Sequence, residues 1–308
     1  MNTQAIGVDL GGTKISAVVL GPENDVIWKS RLPTPSGDYE KTLQTIKALI
    51  SDARTVCGAN MPTRIGIGIP GALASDGLTI KNANSTCLIG KPLKADLEAL
   101  LQLEVVMAND ANCFALSEAI DGAGAGARVV FGVILGTGVG GGVALSGHIH
   151  SGPNLIAGEW GHNAFPLRAD PPKHRACYCG KVDCIETWLS GPGLAQDYLD
   201  LTGEVVTAKE LAARVRAGEA AAGAVLEAYS DNLAKGLSDV INLLDPDVIV
   251  LGGGVSNLTQ LYTDVPKKLT GHIFNATDQP IDMQTRLVQN RWGDDSGVRG
   301  AAWLGRQV

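Results

Sequence analysis

Two glycine-rich stretches combine the residue types that a protein needs to hold phosphate groups. The first, Asp9–Lys14, reads DLGGTK, and the second, Gly136–Gly142, reads GTGVGGG. Glycine lets backbone N–H groups point at an anion with no Cβ in the way, and Thr13 and Lys14 add a hydroxyl group and a positive charge. We predict that both stretches contact the phosphates of a nucleotide. For the first stretch, a glycine-containing hairpin turn is the alternative.

Neither stretch fits the common nucleotide-binding fingerprints. The first lacks the Walker spacing, and the second is followed by a short apolar strand, Val143–Leu145, where a dinucleotide fingerprint requires a helix. A third glycine stretch follows the apolar run Val248–Leu251 and is either a contact to the adenine ring or a tight turn. The residues assigned to the nucleotide are Asp9, Gly11, Gly12, Thr13, Lys14, Gly136, Thr137, Gly138, Gly252, Gly253 and Gly254.

The carboxylate of Asp9 precedes the first glycine turn, where it would repel phosphate oxygens. A cation between the two removes this repulsion, and Mg²⁺ bound through water and phosphate oxygens is the usual solution. The sequence therefore predicts that Asp9 lies beside a magnesium ion that is bound together with the nucleotide.

Three cysteines lie within eight residues, at Cys177, Cys179 and Cys184, and His162 precedes them. Three thiolates and one imidazole form a closed tetrahedral zinc site, which is structural because no position stays open for substrate. We predict a zinc site with these four residues as its ligands. The alternatives are three unconnected thiols, or His174 as the fourth ligand because it is closer in sequence.

The segments that carry these residues alternate between strand and helix patterns. Apolar runs at Ala5–Asp9, Ile15–Leu20 and Val26–Arg31 predict a β-meander, because no helix-length segment separates them. Apolar residues at helical spacing follow over Tyr39–Val56, and Glu186–Asp200 predicts a single helix.

The order β-β-β-α-β-α near the N-terminus partly recurs after residue 128. Glycine-rich Asp121–Ala127 cannot form a stable helix and marks a domain boundary. We therefore predict a two-lobed α/β fold with a cleft between the lobes. The small lobe comprises residues 1–121 and a C-terminal helix at about 293–308, and the large lobe comprises residues 122–292 with the zinc loop.

The bulk composition limits the classes of binding partner that we expect. The chain has 308 residues, of which 45% are hydrophobic, and its net charge is −7. With no Lys/Arg-rich segment, neither nucleic acid nor an anionic membrane is an expected partner. We see no secretory signal and no apolar run of the roughly 18 residues that a membrane span needs, so we expect a cytoplasmic protein with reduced cysteines.

Several stretches resemble the ROK family of repressors, open reading frames and sugar kinases. In chain order they are IGVDLGGTK, GIGIPG, NDANCFALSEA, GVILGTGVGGG, GEWGHN, CYCGKVDCIE and DPDVIVLGGG. The resemblance implies an actin/hexokinase-like ATPase fold of duplicated ribonuclease H-like domains, a homodimer, and ATP-dependent phosphorylation of a hexose. Asp183 stands where the family's zinc motif has its second glycine, a position that ligates nothing, so we expect the zinc site to survive.

The resemblance places the family's catalytic aspartate on Asp110, between strand Val105–Ala108 and helix Ala111–Ile120. As a base, Asp110 would accept the proton of a sugar hydroxyl while the γ-phosphoryl group moves; an N-cap of the helix is the alternative.

For His162 we expect one ring nitrogen on zinc and the other on a sugar hydroxyl. For Glu159 and Glu186, the alternative is that they are solvated surface residues. By resemblance, the sugar contacts are Gly71, Asn84, Asn109, Asp110, Glu159, His162 and Glu186.

The stretches LPTPSGDYEKTLQTI and IKNANSTCLIGKPL most resemble the bacterial fructokinase (mannokinase) branch. This implies fructose as the substrate, phosphorylated to fructose 6-phosphate, with mannose or glucose as weaker substrates. An N-acetylglucosamine or N-acetylmannosamine kinase of the same family is the alternative. A family repressor carries an N-terminal helix-turn-helix, which we do not expect because the chain reaches Asp9 almost at once; a non-catalytic sugar sensor is a further alternative.

Overall fold

The computed structural model describes residues 4–74, 77–83, 85–166, 174–275 and 282–307. The chain divides into two compact units, of which the first contains Met1–Gly122, Gly142–Ala157 and Asp294–Val308 and the second contains the rest. Residues 142–157, which the sequence placed in the large lobe, are therefore grouped with the first unit. Their packing gives the reason: Gly142 lies so close to helix residue Ala111 that a Cβ on Gly142 would be 2.3 Å from the Ala111 carbonyl oxygen.

The secondary structure alternates in the manner expected of an α/β protein. In chain order the elements are β1 (Ala5–Leu10), β2 (Lys14–Leu20), β3 (Val26–Pro33), α1 (Tyr39–Cys57), β4 (Arg64–Ile69), β5 (Ala72–Leu73), β6 (Ile80–Lys81), α2 (Leu93–Leu101), β7 (Glu104–Asn109), α3 (Asp110–Ile120), β8 (Val129–Leu135), β9 (Val139–Leu145), β10 (His148–Ile149), α4 (Ile185–Leu189), α5 (Gly191–Thr202), α6 (Ala208–Arg216), α7 (Ala220–Leu244), β11 (Val248–Gly252), α8 (Leu261–Leu269), β12 (Arg286–Gln289) and α9 (Ser296–Arg306).

The sheet of the first unit has the strand order β3-β2-β1-β4-β7. Strands β1, β2 and β3 pair antiparallel, as the predicted meander requires, whereas β4 runs parallel to both β1 and β7. The register sets Asp9 opposite Gly68 and Ile69 opposite Asn109. The carboxyl ends of three parallel strands thus meet at one edge of the sheet, where ligands of α/β sheets usually lie.

Helices cover the two faces of this sheet with separate hydrophobic clusters. Leu43 and Ile46 of α1 belong to one cluster, and Leu116 of α3 and Ala302 of α9 belong to the other. Helix α9 lies directly against the sheet backbone, because a Cβ at Gly66 would be 1.8 Å from the Ala301 carbonyl oxygen. Only glycine permits this close approach.

The second sheet has the order β10-β9-β8-β11-β12, with β11 parallel to both β8 and β12. The predicted single helix over Glu186–Asp200 is wrong: the structure has α4 and α5 there. The two separate at Ser190, whose hydroxyl accepts a hydrogen bond from the Gly193 N–H at 3.2 Å and caps α5. Within the described ranges, every helix is too short or too polar to cross a membrane.

Candidate active site

Two carboxylates mark the carboxyl edge of the first sheet. Asp9 ends the part of β1 that pairs with β4, and Asp110 begins α3 directly after β7. Burial raises the pKa of Asp9 to about 7, and the negative charge of Asp110 adds to the rise, while Lys14 and Arg31 oppose it. The two carboxylates are therefore close enough to interact, and a cation beside them would offset their repulsion.

The N-cap of α3 is Asn109. Its side-chain oxygen accepts hydrogen bonds from the N–H groups of Ala111 at 2.9 Å and Asn112 at 3.4 Å. The capping role that was the alternative for Asp110 thus belongs to its neighbour. Asp110 also accepts a hydrogen bond from the Ala111 N–H, at 2.8 Å.

Asn109 also connects the helix start to Gly71. Its side-chain amide donates to the Gly71 carbonyl oxygen at 3.0 Å. Gly71 has a φ of +96°, and a Cβ there would lie 2.6 Å from the Lys81 carbonyl oxygen, so the position requires glycine. The first unit therefore brings together Gly71, Asn109 and Asp110. Asn84, predicted as a fourth sugar contact, lies outside the described residues.

The first glycine turn connects β1 to β2 and is a hairpin turn, as the alternative had it. The Gly11 N–H donates to the Lys14 carbonyl oxygen at 3.0 Å, and the Thr34 hydroxyl donates to the Gly11 carbonyl oxygen at 2.7 Å. Gly12 and Thr13 are exposed. The turn is thus held in shape by its own backbone and by the Thr34 side chain, and its exposed tip is the part that a phosphate can reach.

The second glycine turn connects β8 to β9, which confirms that a strand follows it. The Gly191 N–H donates to the Gly136 carbonyl oxygen at 2.8 Å. Glu186 lies against the other end of the turn, where one carboxylate oxygen accepts the Val139 N–H at 3.0 Å. A Cβ at Gly138 would come within 2.5 Å of that oxygen. Glycine at 138 is therefore needed for Glu186 to hold this position.

The third glycine stretch follows β11 and shares a cavity with the second turn. Gly253 has a φ of +80°, and a Cβ there would lie 2.4 Å from the Leu135 carbonyl oxygen, so this residue makes a tight turn. Gly252 is buried, whereas Gly254 is exposed. Gly254 lines a cavity of about 780 Å³ together with Gly136 and Thr137. Gly136 and Gly254 have open space on their Cβ side.

The four predicted zinc ligands lie together in the second unit. The ligand atoms of His162, Cys177, Cys179 and Cys184 are all within 4.8 Å of one another. Nδ1 of His162 is 3.6 Å from the sulfur of Cys177, and the sulfurs of Cys179 and Cys184 are 3.6 Å apart. One imidazole and three thiols at this spacing fit a tetrahedral zinc site.

The rival ligand His174 contacts Asp183 instead of the cluster. Its Nδ1 lies 2.5 Å from a carboxylate oxygen of Asp183. Asp183 has a φ of +53°, the left-handed conformation that explains a glycine at this motif position in the family. Its other carboxylate oxygen accepts the Arg175 N–H at 2.9 Å, which offsets the strain.

Tyr178 is a site residue that the sequence did not reveal. Its hydroxyl lies 3.0 Å from Nε2 of His162, the ring nitrogen that was expected to meet the sugar. Burial raises the pKa of Tyr178 to about 12, and the charges of Glu186 and Glu159 contribute. Of the predicted sugar contacts of the second unit, His162 thus touches this phenol, and Glu186 and Glu159 act on it through their charge. Its only sequence signal was its place between Cys177 and Cys179.

Comparisons with known proteins agree on the family. A family model described as "ROK family" matches residues 5–308. A protein named N-acetyl-D-glucosamine kinase from Yersinia pseudotuberculosis is 43% identical over 304 residues, which cover 97% of each chain. The ROK hexokinase of Thermus thermophilus has a TM-score of 0.84 at 28% identity, covering 99% of this chain and 98% of that chain. A ROK family glucokinase from Streptomyces griseus, in complex with glucose and AMPPNP, has a TM-score of 0.81 at 28% identity. The match covers 99% of this chain and 100% of that chain.

These findings correct the expected substrate and confirm the fold. Fructokinase as the main interpretation is wrong, because relatives 40–43% identical over 97% of the chain are named N-acetyl-D-glucosamine kinase. The fructose interpretation rested on the stretches LPTPSGDYEKTLQTI and IKNANSTCLIGKPL, whereas the glycine turns, Asp110 and the cysteines were expected to act in phosphoryl transfer and folding, which do not depend on which sugar is bound. The α/β fold expected of ROK sugar kinases is confirmed by both solved structures. With the family model matching from residue 5 to residue 308, the chain belongs to the ROK family.

Proposed function

We propose that the protein is an ATP-dependent kinase that transfers the γ-phosphoryl group of ATP to a hydroxyl group of N-acetyl-D-glucosamine. The observation that carries this proposal is the 43% identity, over 97% of both chains, to a protein of that name. It is supported by Asp110 at the carboxyl edge of the first sheet, beside a helix cap that a different residue supplies.

In this scheme Asp110 is the catalytic base. Its carboxylate accepts the proton of the sugar hydroxyl as that oxygen attacks the γ-phosphorus, the bond to the bridging oxygen breaks, and ADP leaves. Because Asn109 caps α3, the Asp110 carboxylate is not needed to start the helix. The side-chain bond from Asn109 to Gly71 fixes the base relative to the neighbouring strand end.

Asp9 is the residue that would hold magnesium. Its carboxylate is buried next to a second carboxylate, and both effects raise its pKa to about 7. A dication offsets both effects, so the carboxylate fits such a partner. Bound Mg²⁺ would neutralise phosphate charge during transfer. With the ion bound, Asp9 contributes a negative charge at the end of β1.

The second unit offers the nucleotide a cavity. Gly136, Thr137 and Gly254 line about 780 Å³, and the two glycines have open space where other residues carry a Cβ. Backbone groups can therefore approach a ligand closely there. Lys209 and Arg216 also line this cavity and add positive charge.

Zinc at His162, Cys177, Cys179 and Cys184 is part of the proposal as a structural ion. The spacing of the four ligand atoms supports it. Such an ion would fix the loop that precedes Glu186, whose carboxylate lies 3.9 Å from the sulfur of Cys177. Glu186, Glu159 and His162 then present hydrogen-bonding groups to the sugar from a rigid segment.

A coupled ADP-release assay tests the function. Purified protein with Mg²⁺ and ATP is given fructose, mannose, glucose, N-acetylglucosamine or N-acetylmannosamine. The highest kcat/KM is expected for N-acetylglucosamine. A higher value for any of the other four sugars would refute the proposed substrate, and no turnover with any of them would refute the kinase assignment.

A further inference from the structure

Tyr178 projects from the zinc loop into the group of predicted sugar contacts. It lies between Cys177 and Cys179, so zinc bound on both sides would fix its backbone. Its hydroxyl is 3.0 Å from Nε2 of His162, and the two rings meet edge to face with centroids 5.1 Å apart. Its side chain is 65% exposed, so these contacts cover only a small part of it.

The imidazole of His162 has a single hydrogen to offer on this side. Its Nδ1 faces the sulfur of Cys177 at 3.6 Å and belongs to the predicted zinc site. A neutral imidazole that binds a metal through Nδ1 carries its hydrogen on Nε2. That N–H then donates to the Tyr178 oxygen. It cannot make a second good bond to a sugar hydroxyl at the same time.

The surroundings of the phenol match those expected for a sugar hydroxyl. The Glu186 carboxylate lies 3.9 Å from the sulfur of Cys177, the residue next to Tyr178 in the chain. At neutral pH the phenol is protonated, as a sugar hydroxyl is. A neutral hydroxyl can accept from an imidazole N–H and donate to a carboxylate, as a sugar hydroxyl can.

We propose that the Tyr178 hydroxyl occupies the place of a sugar hydroxyl on Nε2 of His162 and is displaced when the sugar binds. The inference rests on the proposed function, because it requires that His162 contacts the sugar. Displacement needs only a rotation of an exposed side chain, since the zinc ligands on either side keep the backbone in place. Tyr178 therefore weakens sugar binding and leaves the transfer step unchanged.

The test compares Tyr178→Phe with the wild-type enzyme. Removing the phenol oxygen frees the Nε2 hydrogen, so KM for the sugar is expected to fall about two- to tenfold, as one modest hydrogen bond allows. The kcat, the KM for ATP and the zinc content per chain are expected to stay the same, because Phe keeps the ring and the loop. Val182→Ala is the matched control, since Val182 lies in the same loop and is 58% exposed; all its constants should equal those of the wild type.

The readouts separate the two proposals. KM is measured with whichever of the five sugars the wild type phosphorylates fastest, so the comparison does not depend on the name of the substrate. An unchanged or raised sugar KM in Tyr178→Phe, with normal zinc content, overturns the inference about Tyr178 and leaves the kinase assignment standing. A wild-type enzyme that phosphorylates none of the five sugars overturns both.

Discussion

The side-chain amide of Asn109 donates a hydrogen bond to the carbonyl oxygen of Gly71 at 3.0 Å, while its side-chain oxygen caps α3. One side chain therefore sets both the start of the helix that carries Asp110 and the path of the chain after β4. We expect Asn109→Ala to lower the free energy of unfolding by about 1–3 kcal/mol, since a cap and a bond to a strand end are both lost.

Asn109→Ser separates these two contributions. Serine retains a capping oxygen but cannot reach Gly71, so urea unfolding should show less than the full loss seen with alanine. Equal losses for the two variants would mean that the cap contributes little. Sugar KM should rise in both variants, because each one frees the chain at Gly71.

Asp110→Asn should abolish turnover with little change in stability. Loss of a positioned base lowers kcat by about a hundredfold to ten-thousandfold, while the N-cap on Asn109 keeps α3 intact. Sugar affinity, measured by calorimetry without ATP, should change little. Residual activity near that of the wild type would show that Asp110 is not the base.

The buried carboxylate of Asp9 should make the metal-free protein less stable as the pH rises. Its pKa is raised to about 7 in the folded protein from 3.8, so between these values the folded state binds more protons than the unfolded state. Stability from this group is full below about pH 4 and is lost as the pH rises through 7. The effect is on the order of a few kcal/mol.

Asp9→Asn removes this titration. The difference in unfolding free energy between the variant and the wild type, measured in EDTA from pH 4 to 8, should therefore grow in favour of the variant as the pH rises. A difference that is flat across this range would contradict the raised pKa.

Zinc should be lost when a ligand of the cluster is replaced. Cys179→Ser removes one of the four ligand atoms, so zinc content and melting temperature should both fall. The free energy of unfolding should fall by several kcal/mol, on the order of what a structural zinc ion contributes. Cys87→Ser is the matched control, because Cys87 lies in the first unit, outside the cluster. His174→Ala should also keep its zinc, since His174 contacts Asp183; zinc loss in that variant would make His174 a ligand.

Neighbouring glycines after β11 should respond differently to alanine. Gly253→Ala places a Cβ 2.4 Å from the Leu135 carbonyl oxygen at a positive φ, so it should destabilise the protein by more than 1–2 kcal/mol. At Gly254 the Cβ meets open space, so Gly254→Ala should fold normally and raise KM for ATP. An unchanged KM for ATP in Gly254→Ala would remove this residue from the nucleotide site.

Local patterns in the sequence predicted those parts of the fold that local physics determines. The meander of β1, β2 and β3 and the helix α1 follow from apolar spacing, and the grouping of the three predicted thiol ligands follows from their spacing in the chain. The break between α4 and α5 was missed because it depends on a cap at Ser190 inside a continuous helical pattern.

Features that depend on tertiary contacts were beyond the sequence. The capping role of Asn109 and the phenol on His162 require knowing which atoms meet, and no spacing rule states this. The fructose assignment failed for a different reason, since it rested on two stretches, LPTPSGDYEKTLQTI and IKNANSTCLIGKPL, and a resemblance there does not show which sugar hydroxyls the protein contacts. The proposed sugar is supported instead by 43% identity, over 97% of the chain, to a protein named N-acetyl-D-glucosamine kinase.

Helix α9 packs on β1 and β4 although nearly the whole sequence separates it from β1. A ribosome therefore releases the strands of the first sheet long before the helix that shields their second face exists. Until then Ala5, Val18 and Leu20 lack the α9 part of their hydrophobic cluster on the nascent polypeptide, so this unit matures only after translation has passed the second one. Nonsense mutations that remove only these final turns should leave an aggregating product instead of a weakened enzyme.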